Sequence, residues 1–349
     1  MKQLWSNSTL YRLIRCILFC LPVEFSHDLG LRGLKLLHRL GLISMLEEKA
    51  QECPVEVFGV SFPNPVGLAA GLDKNGDYID ALGALGFGFV EVGTVTPLPQ
   101  SGNAKPRLFR LTEHEAIINR MGFNNKGVDH LVSQLKIKKF TGIVGVNIGK
   151  NFSTPVEQAI DDYLICFRKV YTYADYIVVN LSSPNTPGLR ELQFGEALDG
   201  LLATLKHEQS IQQGLHNKRV PLLVKIAPDL TEAEVSQIAE AFLKHKIDGV
   251  IATNTTISRD ALGTSPYVNE QGGLSGAVLG GRSLKIVEQL SKALHGQIAI
   301  IGVGGTVDGN SARDKIKAGA SLVQLYTGFI YRGPALIAET KNALATIDE

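Results

Sequence analysis

The sequence predicts a (β/α)8 barrel with a two-helix extension at its amino terminus. Eight strand-like runs alternate with helical stretches over most of the chain, the pattern of a parallel sheet wrapped by helices. Polar and glycine residues gather just after those runs, at the end where such barrels keep their functional groups. The first forty residues differ from the rest in both charge and periodicity. At 349 residues the chain can hold one large barrel and an appendage.

In the first segment Leu10, Leu13, Ile14, Ile17, Leu18 and Leu21 recur at helical spacing, with Arg12 and Arg15 off that face, and Pro22 ends the pattern. A second amphipathic stretch runs from about His27 to Leu40, with Arg32, Lys35 and Arg39 between its leucines. Residues 1–40 carry six basic side chains (Lys2, Arg12, Arg15, Arg32, Lys35, Arg39) against Glu24 and Asp28, a local surplus of +4 in a chain of net charge +1. Two basic amphipathic helices joined by a proline turn suit a bilayer surface, apolar faces inward and arginines against anionic lipid; a hairpin packed on its own domain would look the same. The longest apolar run, Cys16 to Leu21, is far short of the ~20 residues a span needs, and no small-residue cleavage site follows. Neither a span nor a signal peptide is expected. The composition changes at Glu47-Glu48-Lys49, which divides the chain into an extension, 1–48, and a barrel, 49–349.

Val55 to Phe62 alternates around Gly59 and reads as a hairpin. The barrel strands are expected at Val66–Ala70, Phe89–Gly93, Ile143–Asn147, Tyr176–Asn180, Leu222–Ile226, Gly249–Thr253, Ala299–Gly302 and Leu322–Leu325. Asn75–Leu85, Pro155–Tyr171, Thr231–His245, Arg282–Leu294 and Asn310–Ala318 have the amphipathic spacing of helices packed outside them. At the strand ends stand Gly71-Leu-Asp-Lys74, Thr94, Asn147, Asn180, Lys225, Thr253-Asn254-Thr255, Gly302-Val-Gly-Gly305 and Tyr326-Thr-Gly328.

The rim carries several kinds of chemistry. Asn180-Leu-Ser-Ser-Pro-Asn-Thr-Pro-Gly188 leaves a strand end with two amides and three hydroxyls, suited to a polar planar ligand or to proton movement, although ordinary turns use the same residues. The glycine loops after the seventh and eighth strands lie where barrels bind phosphate through backbone N–H groups, and their pairing favours an anion over two plain turns. Lys225, inside an apolar strand, fits a Schiff base, a counter-charge to an electron-rich cofactor or a salt bridge across the mouth. Asn119, Asn124, Asn147, Asn180, Asn185 and Asn254 offer paired donors and acceptors to a ring of alternating C=O and N–H groups, a pyrimidine or an isoalloxazine. The near-neutral charge gives no reason to expect nucleic acid. The four cysteines, Cys16, Cys20, Cys53 and Cys166, lack metal-site spacing, so no metal is expected and the protein reads as reduced and cytosol-facing.

Several long stretches are similar to quinone-dependent (class 2) dihydroorotate dehydrogenases: Asn64 to Lys74, Glu91 to Pro97, Asn119 to Asn125, Asn180 to Gly188, Ile251 to Thr256 and Gly302 to Gly305. The resemblance runs from about Leu10 to the last helix. It implies an FMN-containing barrel that oxidises dihydroorotate to orotate, in de novo pyrimidine synthesis, and passes the electrons to ubiquinone. It assigns FMN to Ala70, Gly71, Lys74, Thr94, Asn147, Asn180, Lys225, Thr253, Gly276, Gly305, Tyr326 and Thr327. Substrate falls to Lys74, Asn119, Arg120, Met121, Gly122, Phe123, Asn180, Asn185, Asn254 and Thr255, and the catalytic base to Ser183. His27, Arg110 and Tyr326 match positions near the quinone head.

Relatives that use fumarate or NAD carry cysteine as the base and lack the amino-terminal helices, so Ser183 and the extension both point to the quinone-linked class. The same resemblance implies a monomer held peripherally on the cytoplasmic face of the cell (inner) membrane, its helices walling a quinone tunnel. An iron–sulfur pyrimidine dehydrogenase would need cysteine clusters that this chain lacks, and a Schiff-base aldolase would be colourless.

Overall fold

The computed structural model describes residues 7–46, 48 and 50–347. Lys2, Glu47 and Lys49, used above for the basic surplus and the expected boundary, lie outside the described residues. Helices α1 (Asn7–Phe19) and α2 (Val23–Arg39) come first, then a hairpin of β1 (Val55–Val57) and β2 (Val60–Phe62). Helix α2 begins four residues before the expected His27, because Pro22 immediately precedes it and proline, lacking an N–H, is tolerated where a helix starts.

The barrel and its insertions follow: β3 (Val66–Leu68), α3 (Ile79–Gly83), β4 (Phe89–Val95), β5 (Leu108–Leu111), β6 (Ala116–Asn119), α4 (Val128–Ile137), β7 (Ile143–Ile148), α5 (Ala159–Val170), β8 (Tyr176–Asn180) and α6 (Gly195–His216). After these come β9 (Leu222–Ile226), α7 (Glu232–Lys244), β10 (Gly249–Ala252), β11 (Gly273–Gly276), α8 (Gly280–Leu294), β12 (Ala299–Val303), α9 (Gly309–Lys317), β13 (Leu322–Leu325), α10 (Thr327–Arg332) and α11 (Ala335–Ala345). Strands β3, β4, β7, β8, β9, β10, β12 and β13 close into a parallel barrel of eight, in the expected order. Capping boxes at Thr231/Glu234 and Asp308/Ser311 start α7 and α9. Helix α3 is shorter than expected because the Asp73 carboxylate accepts the N–H groups of Asn75, Asp77 and Tyr78 and holds them in a turn.

An antiparallel sheet of β5, β6 and β11 lies beside the barrel and was not expected. Its strands have four residues each, and β11 contains two glycines, so their pattern is too short to read.

Side chains alternate across each barrel strand. Ile177, Val179, Leu222, Val224 and Val250 pack with the outer helices, whereas Phe89, Tyr176, Val178, Leu223, Ile251 and Leu322 share a second cluster within the barrel. The aromatic rings of Phe62, Phe89 and Tyr176 meet edge to face at the amino-terminal end, closing that end of the lumen. Room for them comes from Gly67, where a Cβ would collide with the Phe89 ring, and Gly145, where it would collide with Tyr176. Gly67→Ala is expected to lower unfolding free energy by about 1–3 kcal/mol through overpacking, read from urea denaturation; an unchanged midpoint would show that the aromatic floor yields freely.

Candidate active site

The alternation that sends Phe89, Tyr176, Leu223 and Leu322 inward sends Glu91, Asn147, Val178, Lys225 and Gln324 inward one step further along. All four polar members of this layer are buried. The Glu91 side chain accepts hydrogen bonds from Asn147 Nδ2 (2.8 Å), Gln324 Nε2 (2.6 Å) and the Tyr176 hydroxyl (3.3 Å). Lys225 has no hydrogen-bond acceptor among the described residues; burial pushes its ammonium pKa down, and the Glu91 charge opposes that shift.

Above this layer the network continues to the rim. A register shift between Val92 and Val95 lets Thr94 bond inward: its Oγ1 donates to Asn147 Oδ1 (2.5 Å) and accepts from Asn180 Nδ2 (2.9 Å). Asn180 Oδ1 accepts from Ser182 Oγ (3.2 Å) and Asn254 Nδ2 (3.3 Å). The loop after β8 is pinned by Arg190, which donates to Ser182 O, Asp229 and Thr255 O and so ties together the loops after β8, β9 and β10. Ser183 is buried, and its Oγ accepts only the Asn185 N–H (3.3 Å) among the described residues. Asn185 Nδ2 reaches Asn119 O (3.2 Å). Lys74 donates to Gly71 O (2.8 Å), and burial, then the nearby Arg107 charge, pushes its pKa down to about 8.

These groups open into one cavity of about 620 Å3. Of the residues named from the sequence, Ala70, Gly71, Lys74, Thr94, Asn180, Ser183, Asn185, Lys225, Thr253, Asn254, Thr255, Gly276, Gly305, Tyr326 and Thr327 line it. So do Asn119, Met121, Gly122 and Phe123, and at the other end His27 and Arg110. Asn147 stands one hydrogen bond behind the wall. Arg120 is turned away: it pairs with Glu270, donates to Pro106 O (2.7 Å) and stacks on Phe109.

The far wall is made by α1 and α2, with Ile14, Leu18, Leu34 and Leu37 facing the space. Arg110 donates to Phe19 O (2.9 Å) and stacks on the Phe19 ring at 3.9 Å. Burial, then the Lys74 charge, pushes the His27 pKa down to about 4, so His27 is neutral at pH 7. Arg15, expected off the apolar face and toward lipid, instead turns to the barrel and donates to Tyr331 O (2.5 Å). Leu13, Ile17, Phe25, Leu40, Leu42 and Met45 are exposed and lie off the cavity, whereas Leu29 and Leu36 are exposed and line it. No helix among the described residues is long and apolar enough to cross a membrane.

Sequence reasoning missed Glu91, Gln324, Arg190 and Arg107. Glu91 had a usable signal, a lone acid in an apolar strand. Arg107 had none, because its partner Glu24 (2.7 Å) is 83 residues away on α2.

The family model for dihydroorotate dehydrogenase matches residues 53–347. Dihydroorotate dehydrogenase (quinone) of Cellvibrio japonicus is 58% identical over 337 residues, covering 97% of this chain and 98% of that protein. The protein of the same description from Saccharophagus degradans is 57% identical over 97% of this chain and 99% of its own length. The crystal structure of DHODH from Eimeria tenella in complex with ferulenol superposes with a TM-score of 0.84 at 40% identity, covering 93% of this chain and 91% of that one.

Glu91→Gln places an amide among three donors in the lumen. It is expected to cost about 1–3 kcal/mol of unfolding free energy in a denaturant titration; wild-type stability would show that the polar layer does not depend on the carboxylate.

Proposed function

The chain belongs to the dihydroorotate dehydrogenase family, and on that premise we propose that its cavity holds FMN beside a pyrimidine and admits a quinone between α1 and α2. The activity is oxidation of dihydroorotate to orotate with a quinone as acceptor, a flavoenzyme reaction of pyrimidine biosynthesis. The observation that carries the proposal is the continuity of the cavity. It runs from Ser183 and Lys225 at the barrel mouth to His27 and Arg110 beside the helices, so substrate and quinone sites share one continuous space.

The residues present fit FMN. Gly304 and Gly305 hold positive φ values of 106° and 71°, and a Cβ on Gly305 would collide with Gly280, so this turn presents bare backbone to the cavity. With Gly276, Tyr326 and Thr327 it forms the phosphate cradle; Ser275 Oγ, 2.9 Å from Thr327 Oγ1, braces it. The buried Gln324 Oε1 and Thr306 Oγ1 lack partners among the described residues, and both residues line the cavity. Ala70, Gly71, Thr94, Asn147, Asn180 and Thr253 would enclose the ring, with the Lys225 ammonium as its counter-charge and Lys74 at the edge shared with substrate. FMN, when bound, supplies the two-electron acceptor for hydride from C6 of dihydroorotate and a donor to quinone.

Asn119, Asn185 and Asn254, with Thr255 and the Met121–Phe123 backbone, would match the pyrimidine's alternating donors and acceptors, and Lys74 its carboxylate. Arg120 contributes through its backbone. Ser183 Oγ would take the proton from C5. A hydroxyl is a weak base, so its burial and the Arg190-pinned loop matter: they keep bulk water from competing for that proton. At the quinone end, Arg110, the Tyr326 hydroxyl and neutral His27 would offer donors to the head group. Residues 1–48 serve as the membrane extension of the barrel, 49–349. The exposed apolar side chains of α1 and α2 would enter the lipid surface on the cytoplasmic face of the inner membrane, with the protein a peripheral monomer.

The purified protein is expected to show a flavin absorption spectrum that bleaches on anaerobic addition of dihydroorotate and returns with ubiquinone; a colourless protein, or flavin that dihydroorotate leaves oxidised, would refute the proposal. Ser183→Ala should keep its flavin and bind orotate but reduce about 100-fold or more slowly in stopped flow, and a normal rate at neutral pH would remove Ser183 from the base role. Leu13→Asp with Ile17→Asp should abolish sedimentation with anionic vesicles while dihydroorotate still bleaches the flavin. Retained vesicle binding would place the membrane contact elsewhere.

A further inference from the structure

Among the described residues two buried lysines lie outside the cavity, and they differ in how they are satisfied. Lys150 donates to the carbonyls of Asn151 (3.2 Å) and Thr154 (2.8 Å), which makes it a brace for its own loop. Lys315, on α9 and 2% exposed, has one hydrogen-bond partner, Ser283 Oγ at 2.9 Å, and no ion pair among the described residues. Burial pushes its ammonium down to about 8, and only the Asp314 charge counteracts this. A cation buried against a single neutral hydroxyl is costly unless an anion compensates it.

The surroundings of Lys315 indicate where that anion belongs. The proton of Ser283 goes to Val303 O at 2.6 Å, so its lone pair is free to accept from Lys315. The same carbonyl accepts the Thr253 N–H at 2.8 Å. The peptide that begins at Val303 O ends at the N–H of Gly304, first residue of the bare turn facing the cavity. A Cβ on Gly302 would stand 3.0 Å from Lys315 Cδ, and one on Gly304 would stand 3.2 Å from Ser283 Cβ. Both glycines therefore leave room for lysine and serine to lie against the back of the turn.

We propose that Lys315 is the buried counter-charge of the cofactor phosphate, acting from behind the Gly304–Gly305 turn through Ser283 and the Val303–Gly304 peptide. It is a positioning residue that need not touch the anion. Its charge acts across the weakly screened interior, and each bond in the relay polarises the next, strengthening the Gly304 N–H as a donor. The inference rests on the reading that this turn and the one at Tyr326–Gly328 cradle the FMN phosphate.

Riboflavin, which lacks the phosphate, supplies the test. Full-chain holoenzyme carrying FMN, or riboflavin introduced by exchange against excess, is diluted, and released flavin is read by its fluorescence. Lys315→Met is expected to weaken FMN retention about tenfold or more while leaving riboflavin retention unchanged. Ser283→Ala, which keeps the cation but cuts the relay, should give a smaller loss of the same kind. Equal weakening of both flavins, or FMN retention at the wild-type level, would overturn the role of Lys315. Should Lys315→Met not fold, Ser283→Ala decides by the same comparison. If wild-type protein held FMN no tighter than riboflavin, the phosphate cradle itself would fall, and the inference with it.

Discussion

A polar layer enclosed in a barrel must satisfy itself, and the Glu91 side chain is the acceptor around which this one is arranged. Asn147, Gln324 and Tyr176 each give it a donor, which fixes the amide orientations of the first two. Asn147 then orients Thr94, Thr94 orients Asn180, and Asn180 presents its oxygen to Ser182 and Asn254. The order at the rim is inherited from an interaction at the centre. Two groups of the layer have no partner among the described residues, the Lys225 ammonium and Gln324 Oε1, and for that reason both are available to a bound ring.

Much of this was legible because strands have a period of two. An apolar strand interrupted by one charged residue at an inward position, as at Lys225, announces itself without any structure. The eight strands were equally plain, since their apolar runs are continuous and bounded by turn residues. What escaped were contacts between distant segments. Nothing local marks Glu24 as the partner of Arg107, or turns Arg15 from the lipid toward the carbonyl of Tyr331. The side sheet escaped for a different reason, because four-residue strands, one of them half glycine, carry too little pattern to separate from loop.

The two ends of the cavity are built on different principles. The barrel end is polar, with the chain from Glu91 through Asn147 and Thr94 to Asn180 held by hydrogen bonds between side chains. The helical end is largely apolar, with half-buried Leu18, Leu34 and Leu37 facing the cavity and exposed Leu13 and Ile17 turned away from it. The Glu24–Arg107 pair lies between them: burial works against Glu24 ionising, but the hydrogen bonds from Arg107 and Lys105 outweigh it and hold its carboxyl below the usual range. Arg107 also donates to Ser101 O and Asn103 O, and the Asn103 N–H in turn donates to Met121 O. The seating of α2 is thereby connected to the strip proposed to hold the pyrimidine.

Four of the bonds that fasten the helical pair end on main-chain oxygen. Tyr11 reaches the carbonyl of Ile330, Arg15 that of Tyr331, Arg110 that of Phe19 and Lys35 that of Asp77. Every residue type has that oxygen, so the accepting positions can mutate without losing the attachment. Three of those oxygens, at Asp77, Ile330 and Tyr331, belong to the barrel, so docking depends on the donor side chains Tyr11, Arg15 and Lys35 of α1 and α2 and leaves the side chains of the accepting barrel positions free of that role.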